Sequence, residues 1–383
     1  MKILMISSLP RDLDSIKGGV DAAVVNLIKG FEYFPDINFL ILSVGKSDQN
    51  RIVKYANNIT IQYLQKKSLG SILVDYLFFA RKKIHKVITE FRPDIIHMQG
   101  ASPILFCLIG LKKKNLVITQ HGVITEEIKF QKTIAKKLKF WMKKIIEQYY
   151  FPKFHNYTFI SNYNQRFLKQ LKGEHLYRSR LIYNPVNPLF FDLKLQANFN
   201  KRILYVGVIN HLKNLLCLLK AIHRIRPMVH GLKVTVIGGF KDESYKKLIL
   251  QFIKNNQLED NISFYGWKSQ TEVLELYKDV DLFVLPSLQE ALPVSIAEAM
   301  AAGRPVIASD VGGVSEMITA QKSGFVFQAN NSQELETYLL KFYNGTVCYY
   351  DFARNAREEA MKKFHPENVA AQTIEFYKTI LEN

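Results

Sequence analysis

Short runs rich in Ile, Leu and Val recur along the chain, each followed by a stretch with helical spacing of apolar positions. The first half carries "KILMIS" (2–7), "NFLILSV" (38–44), "DIIHM" (94–98), "NLVITQ" (115–120), "YTFIS" (157–161) and "RLIYN" (180–184). The second half carries "RILYVG" (202–207), "KVTVIG" (233–238), "NISFYG" (261–266), "DLFVLPS" (281–287), "RPVIAS" (304–309) and "SGFVF" (323–327). Runs without polar alternation predict strands buried on both faces of a parallel sheet. Helical stretches between them predict repeated βαβ units. The segment "NPVNPLFFDLKLQANFN" (184–200) breaks both periods and reads as a linker. The pattern therefore predicts an α/β protein of two doubly wound, Rossmann-like domains, residues 1–190 and 191–365. A last helix at about 366–383 can pack back on the first. Ligands of such sheets bind outside the carboxyl ends of the strands, so a cleft between the domains is the expected site.

Size and composition sharpen this picture. The 383 residues are 48% hydrophobic, ample for two cores. Cys107, Cys217 and Cys348 are scattered, without metal or disulfide spacing, which fits a reducing cytosol. "MKILMIS" reads as a first buried strand rather than a secretory leader. The apolar runs at 71–80 and 102–111 fall short of the roughly 18–20 residues of a membrane span, and no transmembrane helix is expected. Net charge is +18, of which +17 falls in residues 1–200 and +1 in 201–383. The first half is built to face something anionic: a membrane surface, a nucleic acid or a phosphorylated substrate.

The stretch "LPSLQEALPVSIAEAMAAGRPVIASDVGG" (285–313) concentrates the candidate chemistry. After the strand "DLFVLPS", the turn "SLQEA" leads into the helix "PVSIAEAMAAG", with Pro293 suited to its first turn and Gly303 to its C′ position. Glu290 precedes the helix and Glu298 lies in its second turn, separated by on the order of 10 Å. A helix start offers free N–H groups and the positive end of a dipole to phosphate, and carboxylates accept from vicinal hydroxyls. Glu298 on a ribose, phosphates at the helix start and Glu290 on a further sugar would use all three. Spacing alone also fits a helix N-terminal region with favourably placed acids.

The E-x7-E pattern in "PSLQEALPVSIAEAMAAGRPVIASDVGGVSEMI" resembles the donor-site signature of retaining glycosyltransferases of family 4, which have the GT-B fold. The resemblance is dense over 281–318 and weaker over nearly the whole chain. "YVGVINHLKN" is similar to the family's diphosphate-holding strand and loop. "ISFYGWKSQTEVLELYKDVDLFVLPS" is similar to the segment leading to the donor site. "ITQHG" (118–122), "FISNYN" (159–164) and "IYNPVNPLF" (182–190) are similar to N-domain and hinge landmarks. The resemblance implies donor contacts at Gly18, Gly19, Gly207, Lys213, Glu290, Ala291, Leu292 and Glu298. It implies that Glu290, His121 and Lys213 act at the reacting centre. Lys213 follows Gly207 by six positions, as in the family's G-R-x-x-x-x-K, but Val208 stands where the family has Arg. One of two phosphate cations is thus missing.

The implied reaction moves a hexose from a nucleoside-diphosphate sugar to an acceptor hydroxyl with retention, without cofactor or metal. Asp279 and Asp281 form a D-x-D, but Asp281 opens a buried strand and Asp279 ends a helix, so both read as structural. No residue stands out as a covalent nucleophile, and the family reading is a front-side displacement. His97, like His121, falls at a strand end. In "KFQKTIAKKLKFWMKKIIEQYYF" (129–151), Lys129, Lys132, Lys136, Lys137, Lys139, Lys143 and Lys144 share one helical arc. Phe130, Ile134, Leu138, Trp141, Ile145 and Tyr149 share the other. With "RKKIHK" (81–86) and "LKKK" (111–114), this predicts peripheral contact with an anionic, cytoplasmic membrane face, where a lipid-linked or growing surface saccharide is the acceptor. A sugar-nucleotide epimerase of the same fold and a non-catalytic basic binding protein are the alternatives. Neither a basic recognition helix nor a basic, aromatic sheet face is seen, so nucleic acid is not expected as a partner.

Overall fold

In the computed structural model, residues 1–13, 16, 18–47, 49–65, 80–100, 103–108, 115–128, 140, 141, 143–173 and 177–382 are described. The chain divides into two compact units, Met1–Pro185 with Pro366–Asn383, and Val186–His365.

The first unit is built on an eight-stranded sheet of β1 (Lys2–Ser7), β2 (Asn38–Ser47), β3 (Arg51–Ala56), β4 (Ile59–Gln65), β5 (Ile95–Gln99), β6 (Leu116–Gln120), β7 (Asn156–Phe159) and β8 (Arg178–Leu181). Their order is β3-β4-β2-β1-β5-β6-β7-β8, parallel except for the antiparallel edge strand β3. Ile3, Leu4, Met5 and Ile6 of β1 are fully buried, as a strand covered on both faces requires. One face is covered by α1 (Gly19–Phe31) and the terminal helix α10 (Pro366–Leu381), whose Val369, Ile374, Tyr377 and Ile380 join Val24, Ile28 and Phe31 in one core cluster. The other face receives α2 (Arg81–Phe91) through Ile84 and Val87. Helix α3 (Asn162–Lys172) follows β7 and is capped by the Ser161 hydroxyl, which accepts from the Asn164 N–H.

All six first-half runs lie at strands. The pattern missed β3 and β4. Both alternate rather than run apolar, and β3 is a largely exposed edge. Asn57 and Asn58 turn the chain between them, and Asn58 Nδ2 donates to the carbonyls of Phe31 and Phe34. An Asn-Asn pair between two alternating runs was the available hairpin signal.

The basic helix also needs correction. Residues 129–139 and 142, with most of its lysines, lie outside the described residues, as do "LKKK" (111–114) and 71–79. Of its apolar arc, Trp141 and Tyr149 are exposed at 54% and 65%, while Ile146 and Glu147, outside that arc, are buried. The turn Ile146–Tyr150 is a π-helix, whose wider turn breaks the 100° step on which the two arcs were drawn.

The second unit carries the six-stranded, wholly parallel sheet β11-β10-β9-β12-β13-β14. Its strands are β9 (Arg202–Val206), β10 (Lys233–Ile237), β11 (Ile262–Gly266), β12 (Leu282–Leu285), β13 (Val306–Ser309) and β14 (Gly324–Phe327), each on an expected run. Between them come α4 (Leu215–Ile225), α5 (Glu243–Asn255), α6 (Gln270–Tyr277) and α7 (Val294–Ala301), and α8 (Ser332–Tyr343) and α9 (Tyr349–Phe364) close the unit. The strand order reverses between β9 and β12. The loops leaving their carboxyl ends therefore diverge, and open a crevice where such sheets bind ligands. In the first unit the same reversal lies between β1 and β5.

Candidate active site

The crevice of the second unit is walled by the loops after β9 (207–214) and β12 (286–293). They are tied together where the Leu288 N–H donates to the Leu212 carbonyl at 2.7 Å. That tie brings two predicted residues into contact. Lys213 Nζ donates to Glu290 Oε1, and the Ser287 hydroxyl donates to the same oxygen at 2.7 Å. Glu290 is buried while Lys213 stays about one-quarter exposed, so the ion pair has a wet side. Gly207 lies against the stem of Lys213: a Cβ added to it would sit 3.9 Å from Lys213 Cγ. Val208 leaves Lys213 as the ammonium on this ledge. His211, in the same loop, packs against Tyr245 with ring centroids 4.3 Å apart and planes inclined at 50°, and lies 3.8 Å from Asp242.

Two glycines outside the predicted set make the crevice possible. A Cβ at Gly312 (φ +59°) would fall 1.6 Å from the Glu290 carbonyl oxygen, and one at Gly238 (φ +134°) 1.9 Å from that of Gly207. Both positions need backbone against backbone, which only glycine allows. The glycine pairs "IGGF" and "DVGG", each just after a strand, were the signal in the sequence. Gly313 N–H donates to the Ala291 carbonyl at 3.0 Å and fixes the Glu290–Leu292 turn.

Helix α7 starts at Val294, with Pro293 one residue earlier than expected, at the N-cap with extended ψ of 118°. Proline has no side-chain cap to give, so α7 starts without one, and among its first N–H groups that of Ile296 donates to the Pro293 carbonyl at 3.1 Å. Gly303, at φ +67°, ends the helix as expected. Glu298 lies in the second turn, 9% exposed. Burial pushes its carboxyl up to about 7, opposed by a side-chain hydrogen bond from Gln270. Gln270, the first residue of α6, accepts from Asn187 Nδ2 at 3.0 Å, which turns its amide N–H toward Glu298. Gln270 escaped sequence reading, because nothing in the sequence marks a contact across β11 and β12.

Asp281 is fully buried and accepts the N–H groups of Asn200 and Arg202 at 3.0 and 2.8 Å. Its neighbour Asp279 offers its backbone carbonyl to Arg202. The pair fastens β12 to the start of β9.

In the first unit, Gly18 is the extended N-cap residue of α1 and Gly19 its first residue, without a side-chain cap. His121 follows β6, and its Nε2 donates to Gln99 Oε1 at 2.8 Å. His97, rated no higher than a second strand-end histidine, proves wholly internal: Nδ1 lies 2.5 Å from the Tyr377 hydroxyl and Nε2 2.6 Å from Thr119 Oγ1. Burial drives both imidazoles down, His97 to about 3 and His121 to about 4, so both are neutral at pH 7. His121, Gln99, Asn184 and α1 residues Ala23 and Leu27 line one small cavity of about 20 Å³. Glu147, unmarked in the sequence, is completely buried and accepts the N–H groups of Ile124 and Thr125 at 2.8 and 2.9 Å. It thereby anchors the chain just after His121.

Comparison with known proteins agrees with this anatomy. The family model for glycosyl transferases group 1 matches residues 192–362, and that for glycosyltransferase family 4 matches residues 18–189. An uncharacterized glycosyltransferase of Methanocaldococcus jannaschii is 28% identical over 99% of both chains. The amylovoran biosynthesis glycosyltransferase AmsK of Erwinia amylovora is 28% identical over 51% of this chain and 49% of its own. The chain thus spans about half the length of some of the curated relatives it matches. The structure of Anabaena HepE in complex with UDP and glucose superposes with a TM-score of 0.73 at 20% identity, covering 99% of this chain and 100% of that one. The two matched segments adjoin and account for nearly all of the chain, and each falls on one doubly wound unit: the protein is a GT-B glycosyltransferase belonging to family 4.

Proposed function

We propose that the protein transfers a hexose from a nucleoside-diphosphate sugar to an acceptor hydroxyl with retention of anomeric configuration, without a metal. The observation that carries this is the ledge of Lys213, Ser287 and Glu290 beside Gly207 at the sheet's switch point, with Glu298 on the following helix. Glu298 accepts from the ribose hydroxyls, and Gln270 steadies it. The diphosphate rests on the uncapped start of α7 and the Gly207 backbone, where it takes over the Lys213 ammonium from Glu290. Glu290, released from Lys213 but still held by Ser287, accepts from hydroxyls of the transferred sugar. The family resemblance assigns His121 a role on the transferred sugar as well.

In the reaction, the bond from the anomeric carbon to the leaving phosphate oxygen breaks and the acceptor oxygen bonds to that carbon on the same face. The acceptor's proton passes to the departing phosphate. The protein supplies position and charge: Lys213 neutralises the leaving diphosphate, and Val208 stands where the family pattern has a second cation. Support for the donor class comes from the HepE complex with UDP and glucose, and support for a polysaccharide acceptor from the amylovoran enzyme's name. A lipid-linked or growing surface saccharide at the cytoplasmic membrane face fits the charge of residues 1–200 and the exposed Trp141 and Tyr149 beside Lys143 and Lys144. Indole and phenol rings with neighbouring lysines suit an interfacial layer. No described helix is long and apolar enough to cross a membrane.

The test is a melting-temperature screen with nucleoside diphosphates and their sugars, followed by transfer assays. A stabilising nucleotide sugar should lose its effect in Glu298→Ala, and Glu290→Gln should cut turnover more than binding. Wild-type transfer in both variants refutes the donor site, and sugar-nucleotide isomerisation with donor alone establishes an epimerase instead.

A further inference from the structure

The hydrogen bonds around His121 leave little freedom in how its protons are placed. Gln99 Nε2 lies 3.8 Å from Met5 Sδ and 3.3 Å from His97 Nε2. A thioether sulfur only accepts, so the amide NH2 faces Met5 and the amide oxygen faces His121. Gln99 Oε1, 2.8 Å from His121 Nε2, in turn only accepts. Nε2 of His121 therefore carries the hydrogen. The ring is neutral at pH 7, so Nδ1 is left as a lone pair.

The same logic runs backwards through the sheet. His97 Nε2 accepts from Gln99 and from Thr119, whose hydroxyl lies 2.6 Å from that of Thr158. His97 Nδ1–H then donates to the Tyr377 hydroxyl of α10. Every member of this chain belongs to the first unit and is buried, apart from the partly accessible His121. At its outer end, His121 Nδ1 has no hydrogen-bond partner among the described residues, although it is itself out of contact with solvent. Asn184 stands where its side chain can hydrogen-bond the ring, which opposes the fall of its basicity. The cavity beside them is lined by Asn184, Thr158, Ile182 and Tyr183.

We propose that Gln99 is a positioning residue of the transferase: it fixes the orientation and tautomer of His121 so that Nδ1 always presents an acceptor, and a ligand hydroxyl supplies the missing donor. Gln99 is itself held by Met5 and His97. An acceptor at this point selects a hydroxyl that must donate, and it rejects a carbonyl or ether oxygen there because two lone pairs would face each other. The use of that hydroxyl by a donor sugar rests on the placement of His121 proposed above. The tautomer does not.

The experiment is a long-range 1H–15N spectrum of the full chain labelled in its nine histidines, with His121 assigned by the cross-peaks lost in His121→Asn. The expected result at pH 7 is a neutral His121 in the Nε2–H form with a proton protected from solvent exchange. That protection is lost in Gln99→Leu and kept in Gln99→Glu, whose carboxylate still accepts. An Nδ1–H form or a charged ring in the wild type overturns the proposal, as does a Gln99→Leu spectrum with the proton still protected. Nucleotide sugars are then added. Movement of the His121 Nδ1 signal by a nucleotide sugar but not by the free diphosphate supports the sugar contact. A signal that no nucleotide sugar moves, in a protein that they stabilise, refutes the sugar contact while the tautomer result stands on its own.

Discussion

Glu298 offers a sharp quantitative test. Its carboxyl ionises at about 7 in the folded protein, against 4.5 for an ordinary glutamate, because burial penalises the charge more than Gln270 relieves it. Between those two values the native protein holds a proton that the unfolded chain has released. Stability therefore falls as pH rises through this window and levels off above pH 7. The full displacement is worth about 3 kcal/mol, of which about 2.5 kcal/mol falls between pH 5 and pH 8. Glu298→Gln keeps the shape and removes the ionisation. Urea unfolding of both proteins at pH 5 and pH 8 should show Glu298→Gln gaining about 2.5 kcal/mol on the wild type between the two conditions. His97 and His121 act with the opposite sign. They are held neutral far below their usual range, so stability is lost as pH falls below about 6.5. Both are unchanged in the variant and cancel in the comparison. Nucleotide binding gives a second reading. A ribose donates to the carboxylate, so affinity should fall by roughly tenfold per pH unit below pH 7 in the wild type and stay flat in Glu298→Gln. Parallel pH profiles for the two proteins would show that Glu298 is neither protonated near neutrality nor in contact with the nucleotide.

Two other perturbations probe separate links. Gly312→Ala puts a Cβ 1.6 Å from the Glu290 carbonyl in a left-handed conformation that costs an L-residue about 1 kcal/mol before any clash. The melting temperature should drop by several degrees and nucleotide stabilisation should vanish, and a variant that keeps both would show the two loops to be loosely coupled. Replacing both Trp141 and Tyr149 by Ala removes two large exposed rings without emptying the core. Flotation with anionic liposomes should weaken while transfer to a soluble acceptor is preserved, and unchanged flotation would assign membrane contact, if any, to charge alone.

Much of this protein is legible without coordinates. Buried parallel strands must be apolar on both faces, so twelve of the fourteen strands among the described residues announce themselves as Ile-, Leu- and Val-rich runs. The E-x7-E spacing on a turn and a helix fixes where Glu290 and Glu298 lie relative to α7, because helix geometry is local. The edge strand β3 and its neighbour β4 escaped because their alternation is that of a half-exposed hairpin. Trp141 and Tyr149 were set on one arc with Ile145 because a π-turn cannot be seen in a 100° periodicity. Only the tertiary structure could decide what crosses between elements. It paired Lys213 with Glu290 and set Gln270 against Glu298. It closed Gly312 onto a carbonyl, and it threaded Tyr377, His97 and Gln99 into the line that holds His121. Those contacts join residues tens to hundreds of positions apart. Their energies come from desolvation and hydrogen-bond geometry, which depend on neighbours that chain order does not specify.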